Sequence, residues 1–247
     1  MRYLVLSDIH ANLQALEAVL AAATVIGYDE IVVLGDLVGY GGDPDAVVER
    51  IRALRPVSIV RGNHDKVAAG IEDSSGFNAV ARRAAVWTRD ALSPENRQYL
   101  VSLPAGPLAL NDAVLVCHGS PEDEDLYIFN DRDALRALRI ATRPICLFGH
   151  THLPIVVHLV EDALELVARA TEAETHVELA PEVKYLINPG SVGQPRDGDS
   201  RAAFAVLDPS TSSIVLYRVP YDLNAAQARI LEAGLPPSLA HRLGVGR

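Results

Sequence analysis

An α/β fold, arranged as a four-layer α/β/β/α sandwich with two mixed β-sheets, is the architecture that three features of the sequence predict. The first 61 residues alternate apolar, β-branched runs with amphipathic segments, the order that builds parallel strands joined by right-handed crossovers. After residue 152 the pattern changes to short β-type runs separated by turn residues, as in antiparallel strands. No Gly/Ser-rich, Pro-rich or low-complexity segment interrupts the 247 positions, and no period of about 20 to 50 residues recurs. The chain therefore reads as one domain, residues 1–247, with a helical insertion at about 66–104.

The elements follow in order. Residues 3–7 (YLVLS), 31–35 (IVVLG), 57–61 (VSIVR) and 145–149 (ICLFG) are continuous apolar runs, the signature of buried strands. Leu13, Leu16, Val19 and Leu20 recur at helix spacing over 12–23. Val47, Val48, Ile51 and Leu54 do the same over 44–54, with Asp43 as the expected N-cap and Pro44 in the first turn. Between Lys66 and Leu103 the pattern is helical without strands: Phe77, Val80, Ala81, Ala84 and Trp87 mark one helix, and Pro94 opens another. The segment PLALNDAVLVCHG (107–119) predicts two strands joined by a turn at Asn111 and Asp112, and 131–140 predicts an amphipathic helix. Further strands are expected at 155–160, 164–168, 185–188, 203–207 and 214–219, and a helix at 223–233. The tail from Leu235 to Arg247 is expected to be mobile or to pack on another chain.

Composition narrows the setting. Hydrophobic residues make up 49% and charged residues 22%, enough apolar material for a core. The N-terminal apolar run is too short for a signal-peptide core and no stretch is apolar enough to span a membrane, so a cytoplasmic location without membrane partners is expected. Cys117 and Cys146 lie inside apolar runs and read as buried, reduced thiols. A formal net charge of −10 disfavours nonspecific binding to nucleic acid.

The chemistry collects where the apolar runs end. Asp8-Ile9-His10, Asp36, Asn63-His64-Asp65, His118-Gly119 and His150-Thr151-His152 each follow such a run. Singly, each has an ordinary explanation: a capping Asp, a tight turn, a solvated imidazole pair. Jointly they do not, because ligand sites in open α/β sheets form at the carboxyl ends of the strands, where these clusters would share one rim. Oxygen and imidazole donors without thiolate suit Mn²⁺, Fe²⁺/³⁺, Zn²⁺ or Ni²⁺ and argue against a structural zinc site. Around this set, Tyr40, Asn188 and Arg196 are candidates to border a cleft, Arg196 carrying a planar, forked cation. Asn78, Arg82 and Arg83 are available on the insertion, and the acidic run PEDED (121–125) reads as a solvated loop.

The motifs DIH, GDLVG, GNHD, CHG and GHTH, in this order, resemble the signature of the calcineurin-like metallophosphoesterases. NPGSVGQPR (188–196) is similar to the C-terminal segment of the small prokaryotic phosphodiesterase and phosphatase members. One departure is Ala11, where members commonly carry glycine. The resemblance implies a dinuclear centre of two divalent transition-metal ions, manganese foremost, with iron, zinc and nickel as alternatives. Asp8, His10, Asp36 and His152 would hold one ion, and Asp36, Asn63, His118 and His150 the other, with Asp36 bridging.

The implied activity is that of a hydrolase acting by in-line attack of a hydroxide that bridges the ions. Two divalent ions, two carboxylates and one hydroxide leave about one positive charge, felt locally because surface charges beyond roughly 8 Å are screened. The resemblance makes His64 the group that stabilises or protonates the leaving oxygen, and Asp65 is expected to orient it. A phosphodiester substrate is preferred, with cyclic nucleotides among the candidates. A phosphomonoester or phosphoprotein substrate, a non-catalytic scaffold and a nuclease are the competing readings.

Overall fold

The computed structural model describes residues 1–161 and 163–247. Its strands form two six-stranded mixed sheets. In the first, β1 (Tyr3–Leu6), β2 (Glu30–Val33) and β3 (Val57–Ile59) run parallel, and β11 (Ala202–Asp208), β12 (Ser213–Val219) and β9 (Glu174–Glu178) continue the sheet antiparallel. In the second, β5 (Val114–Val116), β6 (Ile145–Leu147) and β10 (Lys184–Asn188) run parallel. Here β4 (Leu108–Ala109) pairs antiparallel on one side, and β7 (Ile155–Val160) and β8 (Ala163–Arg169) on the other.

Alternation along each strand builds the layers. Tyr3 and Val5 of β1, with Val32 and Leu34, meet Val116, Leu147 and Ile187 of the second sheet. Leu4 and Leu6 point the other way, onto helices α1 (Leu13–Ile26), α2 (Pro44–Ala53) and α5 (Pro94–Ser102). Helix α6 (Asp131–Ile140) covers the second sheet through Ala134, Ala137 and Leu138. The expected four-layer sandwich is thus the observed one. Leu6 is fully buried, and truncating such a leucine to alanine typically costs about 2–5 kcal/mol.

Local chemistry explains most boundaries. Asn12 caps α1 by accepting from Ala15 N at 3.0 Å, while its amide donates to Gly193 O at 2.9 Å. Ser93, Asn130 and Asp222 cap α5, α6 and α7 (Leu223–Glu232) in the same way. Asp43 occupies the expected N-cap position of α2 but makes no cap bond, because its carboxylate holds Arg229 Nε at 2.7 Å. Cys117, just after β5, and Cys146, on the neighbouring β6, are buried and free.

Several elements differ from the sequence expectation. Strand β9 has no apolar run; of ETHVE only Val177 is buried, and the charged residues face solvent at a sheet edge. Strand β3 is an edge strand whose residues are half-buried. The helical insertion contains α3 (Asn63–Ala69), α4 (Ala79–Ala91) and α5. The supposed tail forms α8 (Pro237–Val245), which buries Leu239, Ala240 and Leu243 against Tyr40, α4 and α7. Among the described residues no helix is long and apolar enough to cross a membrane.

Candidate metal centre

Five strand ends converge on one rim. Asp8 and His10 follow β1, Asp36 follows β2, Asn63 and His64 open α3 after β3, His118 follows β5, and His150 and His152 follow β6. The turns are locked backbone to backbone: Asp8 N donates to Gly35 O at 3.1 Å, His10 N to Asp36 O at 3.0 Å, and Gly149 N to His118 O at 2.8 Å. Two glycines permit the close approach. A Cβ on Gly62 would stand 2.1 Å from Asp36 Oδ1, and one on Gly149 would stand 2.0 Å from Ser7 Oγ.

The backbone here is strained. Asp8, His10, Ala11, Asp36, Tyr40, His150 and His152 all have φ between 48° and 65°, a left-handed region that costs non-glycine residues roughly 1–2 kcal/mol each. Ala11 adopts φ 52° without being glycine, so the departure from the usual residue leaves the turn intact.

Ring orientation is set by backbone carbonyls. His10 Nδ1 donates to Val38 O at 3.0 Å, His118 Nδ1 to Leu34 O at 2.7 Å and His152 Nδ1 to Gln194 O at 2.6 Å. In each neutral ring the lone pair then lies on Nε2, directed at the centre. His150 is held the other way, its Nε2 donating to Asp125 O at 3.2 Å, which leaves Nδ1 as its ligand atom.

These ligand atoms cluster. Asp8, His10 and His152 form one group and Asp36, His118 and His150 another, each with its atoms within 4.8 Å of one another. Asp36 lies between them, with Oδ2 at 3.5 Å from His10 Nε2 and 3.4 Å from His118 Nε2. Asn63 Oδ1 stands 3.3 Å from His118 Nε2. His10 Nε2 and His152 Nε2 are only 3.2 Å apart. Two lone pairs facing each other at that distance repel unless a cation lies between them, so the donor set fits a divalent metal. All of these residues except half-buried Asn63 are at most 3% exposed.

Electrostatics point the same way. Burial raises Asp8 to about 7, with Asp36 adding to the effect. Burial also opposes charge on Asp36, but His118 and His64 beside it outweigh that and hold its carboxyl well below the usual range. Burial would lower His118, yet Asp36 and Asp8 bring it up to about 10, while burial pulls His150 down to about 2. Without a metal, a proton on His118 supplies the positive charge that the carboxylates require.

The residues around the centre sort differently from expectation. His64 stands among His10, Tyr40 and Phe77, with ring centroids at 5.0, 4.4 and 4.6 Å, and burial lowers it to about 4. Asp65 does not orient His64, because its oxygens accept from Gly62 N at 2.9 Å and Val38 N at 3.1 Å, whereas His64 Nδ1 has no partner. Asp65 instead ties the turn after β2 to the start of α3. Asn188 is fully buried; its amide donates to Gly149 O and Thr151 Oγ1 and its oxygen accepts from Gly190 N, so it braces the histidine turn instead of facing a ligand. Tyr40 walls the centre at 4.8 Å from the His10 ring, and Arg196 lies over Tyr40 with Cζ 5.8 Å from its centroid.

A cleft of about 200 Å³ reaches the centre between Asn63, Phe77, Tyr127 and His150. Of the insertion residues, Lys66, Glu72, Asp73 and Phe77 are among those that line it, whereas Asn78 caps α4, Arg82 bonds Ser74 O and Arg83 bonds Gly234 O. The PEDED run is not a free solvated loop. Glu124 accepts both Arg61 Nε and Nη2 at 3.0 and 2.9 Å, Asp125 pairs with Lys66, and Tyr127 stacks on His150 at 3.6 Å. No sequence pattern marked Tyr127 or the carbonyls of Asp125 and Gln194, since the backbone has the same chemistry at every residue.

Comparison with known proteins agrees with this geometry. Residues 1–212 match the calcineurin-like phosphoesterase superfamily domain. A metallophosphoesterase from Sphaerobacter thermophilus is 41% identical, with a TM-score of 0.86 over 100% of this chain and 99% of that one. A hypothetical protein from Pyrococcus horikoshii OT3 shares the fold with a TM-score of 0.82 at 22% identity, over 100% and 98% of the two chains. An uncharacterised protein of Methanocaldococcus jannaschii is 37% identical over 98% of this chain and 97% of its own length.

Proposed function

Since the chain belongs to the calcineurin-like phosphoesterase superfamily, a superfamily of metal-dependent phosphoester hydrolases, we propose that it hydrolyses phosphodiesters at a dinuclear centre. Asp8, His10, Asp36 and His152 would hold one divalent transition-metal ion, and Asp36, Asn63, His118 and His150 the other, with manganese the expected metal. The observation that carries this reading is the facing pair of His10 and His152 Nε2 atoms, 3.2 Å apart, with Asp36 placed between the two ligand groups. When bound, such ions acidify water and polarise phosphoryl oxygens.

The protein's own groups complete the chemistry. His64, lowered to about 4 by burial, is neutral near pH 7, so it serves the leaving oxygen as a hydrogen-bond donor and not as a resident imidazolium. Arg196, with Cζ 5.8 Å from the Tyr40 ring that also contacts His64, supplies a fork for the phosphoryl oxygens or a substituent. Phe77 and Tyr127 give the cleft apolar walls suited to an organic substituent, and its acidic residues Glu72, Asp73 and Asp125 outnumber Lys66, which pairs with Glu72. This supports a diester with one negative charge and two substituents.

The test is to strip the protein of metal, reconstitute it with Mn²⁺, Zn²⁺, Ni²⁺ or Fe²⁺, and compare bis-p-nitrophenyl phosphate with p-nitrophenyl phosphate. Faster metal-dependent turnover of the diester is expected. Preference for the monoester would move the protein to the phosphatases, and inactivity with every metal and both esters would leave a scaffold.

A further inference from the structure

We propose that Phe77 is a specificity-determining residue: its ring receives the leaving arm of the substrate and selects arms that carry a flat aromatic ring there. That the substrate is a phosphoester rests on the reading above.

Phe77 stands where the leaving arm must pass. Its ring centroid is 4.6 Å from that of His64, the group that serves the leaving oxygen. It also lines the cleft of about 200 Å³ together with Asn63 and His150, two residues of the ligand set. An arm joined to phosphorus through an oxygen beside His64 therefore extends along Phe77. The side chain is half-buried, packing on the apolar cluster that holds Tyr40, Ala81 and Ala84 while it borders the cleft.

The cleft has two aromatic side chains besides its histidine, and only one is open to a substrate ring. Tyr127 is stacked twice, on His150 with centroids 3.6 Å apart at 24° and on Phe129 with centroids 4.6 Å apart at 9°. A ring centred 3.6 Å away covers a whole face, so Phe129 lies on the opposite one and Tyr127 has only its edge left. Among the described residues Phe77 has a single ring neighbour, His64, tilted at 39°. Stacked and edge-to-face pairs add to plain apolar burial, so a flat ring is favoured there over an aliphatic group of similar size.

The loop between α3 and α4 is tied down in a way that presents this ring. Arg82 donates to three of its carbonyls, Ser74 O, Ser75 O and Phe77 O, at 3.1, 3.1 and 3.3 Å. Phe77 N donates to Ser74 O at 3.1 Å, and Asn78 beside it caps α4. Toward the start of the loop, Glu72 pairs with Lys66 at 2.6 Å. Surface loops commonly leave their carbonyls to water; three of them taken by one side chain fix the backbone leading to Phe77. Arg82 is thus a positioning residue for the ring.

Calorimetry on the Mn²⁺-reconstituted protein tests this without turnover. The probes are benzylphosphonate, (cyclohexylmethyl)phosphonate and methylphosphonate: in each a carbon replaces the leaving oxygen, and the arm is respectively flat, similar in size but puckered, or absent. Wild type is expected to bind benzylphosphonate about three- to tenfold more tightly than the cyclohexylmethyl compound, the range that an aromatic pair adds to burial. Phe77→Leu, which keeps apolar bulk and loses the ring, should abolish that difference, and Phe77→Trp should keep it. Arg82→Gln, with Phe77 still present, should shrink it. Equal affinity for the flat and the puckered arm in wild type, a preference that survives Phe77→Leu, or weakening of all three probes by one factor in that variant would overturn the proposal. A full preference in Arg82→Gln would overturn the part given to the loop. Failure to hydrolyse bis-p-nitrophenyl phosphate, with the ring preference intact, would overturn the catalytic reading alone.

Discussion

The floor of the site and its wall are built by opposite strategies. The floor, from Asp8 to His152, consists, apart from half-buried Asn63, of side chains at most 3% exposed, on turns fixed by backbone hydrogen bonds, with Asp8, His10, Asp36, His150 and His152 held in left-handed conformations. The wall is made by Phe77, Tyr127 and Arg196, which come from connecting loops and are at least partly exposed. Charge that must be held within a few tenths of an ångström needs a rigid backbone. Recognition needs reach and variety, which connections supply.

The comparison is broken most severely at its centre. Asp36→Asn removes the anion shared by both ligand groups and should reduce bound metal to well under half of wild type by elemental analysis and bring hydrolysis to background. Normal metal content would refute the bridging role. His64→Ala, one step toward the wall, should keep its metal and lose between about tenfold and 10⁴-fold in kcat, in the range of acid–base groups. Unchanged turnover with good and poor leaving groups alike would remove His64 from the reaction.

A third test concerns protons. With its pKa up at about 10, His118 of the metal-free protein is protonated at pH 7 and must lose that proton to bind metal. Metal affinity should therefore rise by about tenfold per pH unit near pH 8, and more steeply toward pH 6, where Asp8, raised to about 7, also gives up a proton, with proton release visible as a dependence of the calorimetric enthalpy on buffer. Affinity independent of pH would contradict the assignment.

The two smallest effects probe the supports. Glu124→Gln weakens the bidentate hold of Arg61 on the loop whose Asp125 carbonyl orients His150, and should lower metal affinity by about tenfold, the lower end for groups behind a ligand, in a chelator competition. Ala11→Gly relieves a left-handed alanine worth roughly 1–2 kcal/mol but adds about 0.4–1 kcal/mol of unfolded-chain entropy. Its Tm should rise by no more than a few degrees, and a large fall would show that the Ala11 methyl carries packing the backbone argument omits.

The strands that end at the rim were legible because a buried parallel strand must be apolar along its length, so the polar residue that follows it stands out; Asp8, Asp36, His118 and the two histidines after Gly149 were found in this way. The helices α1, α2, α4 and α6 were legible from apolar spacing and caps. Strand β9 was not, since an edge strand buries one residue of five and its pairing with β12 satisfies the rest. Asp65 and Asn188 were recognised as part of the site but misassigned in role: their residue types suit a proton relay or a ligand contact as well as they suit backbone bracing, and only their partners distinguish these.

By itself, then, the sequence determined the layer order and the carboxylate and imidazole donors that gather at the strand ends, because strand periodicity and donor type are local properties. The tertiary structure alone decided which nitrogen of each ring faces the centre, which acids brace and which bind, and that a C-terminal helix carries Arg242 to Tyr40. Those outcomes depend on contacts between residues as far apart as 10 and 152 or 40 and 242, and no local pattern encodes which distant backbone carbonyl or ring a side chain will meet.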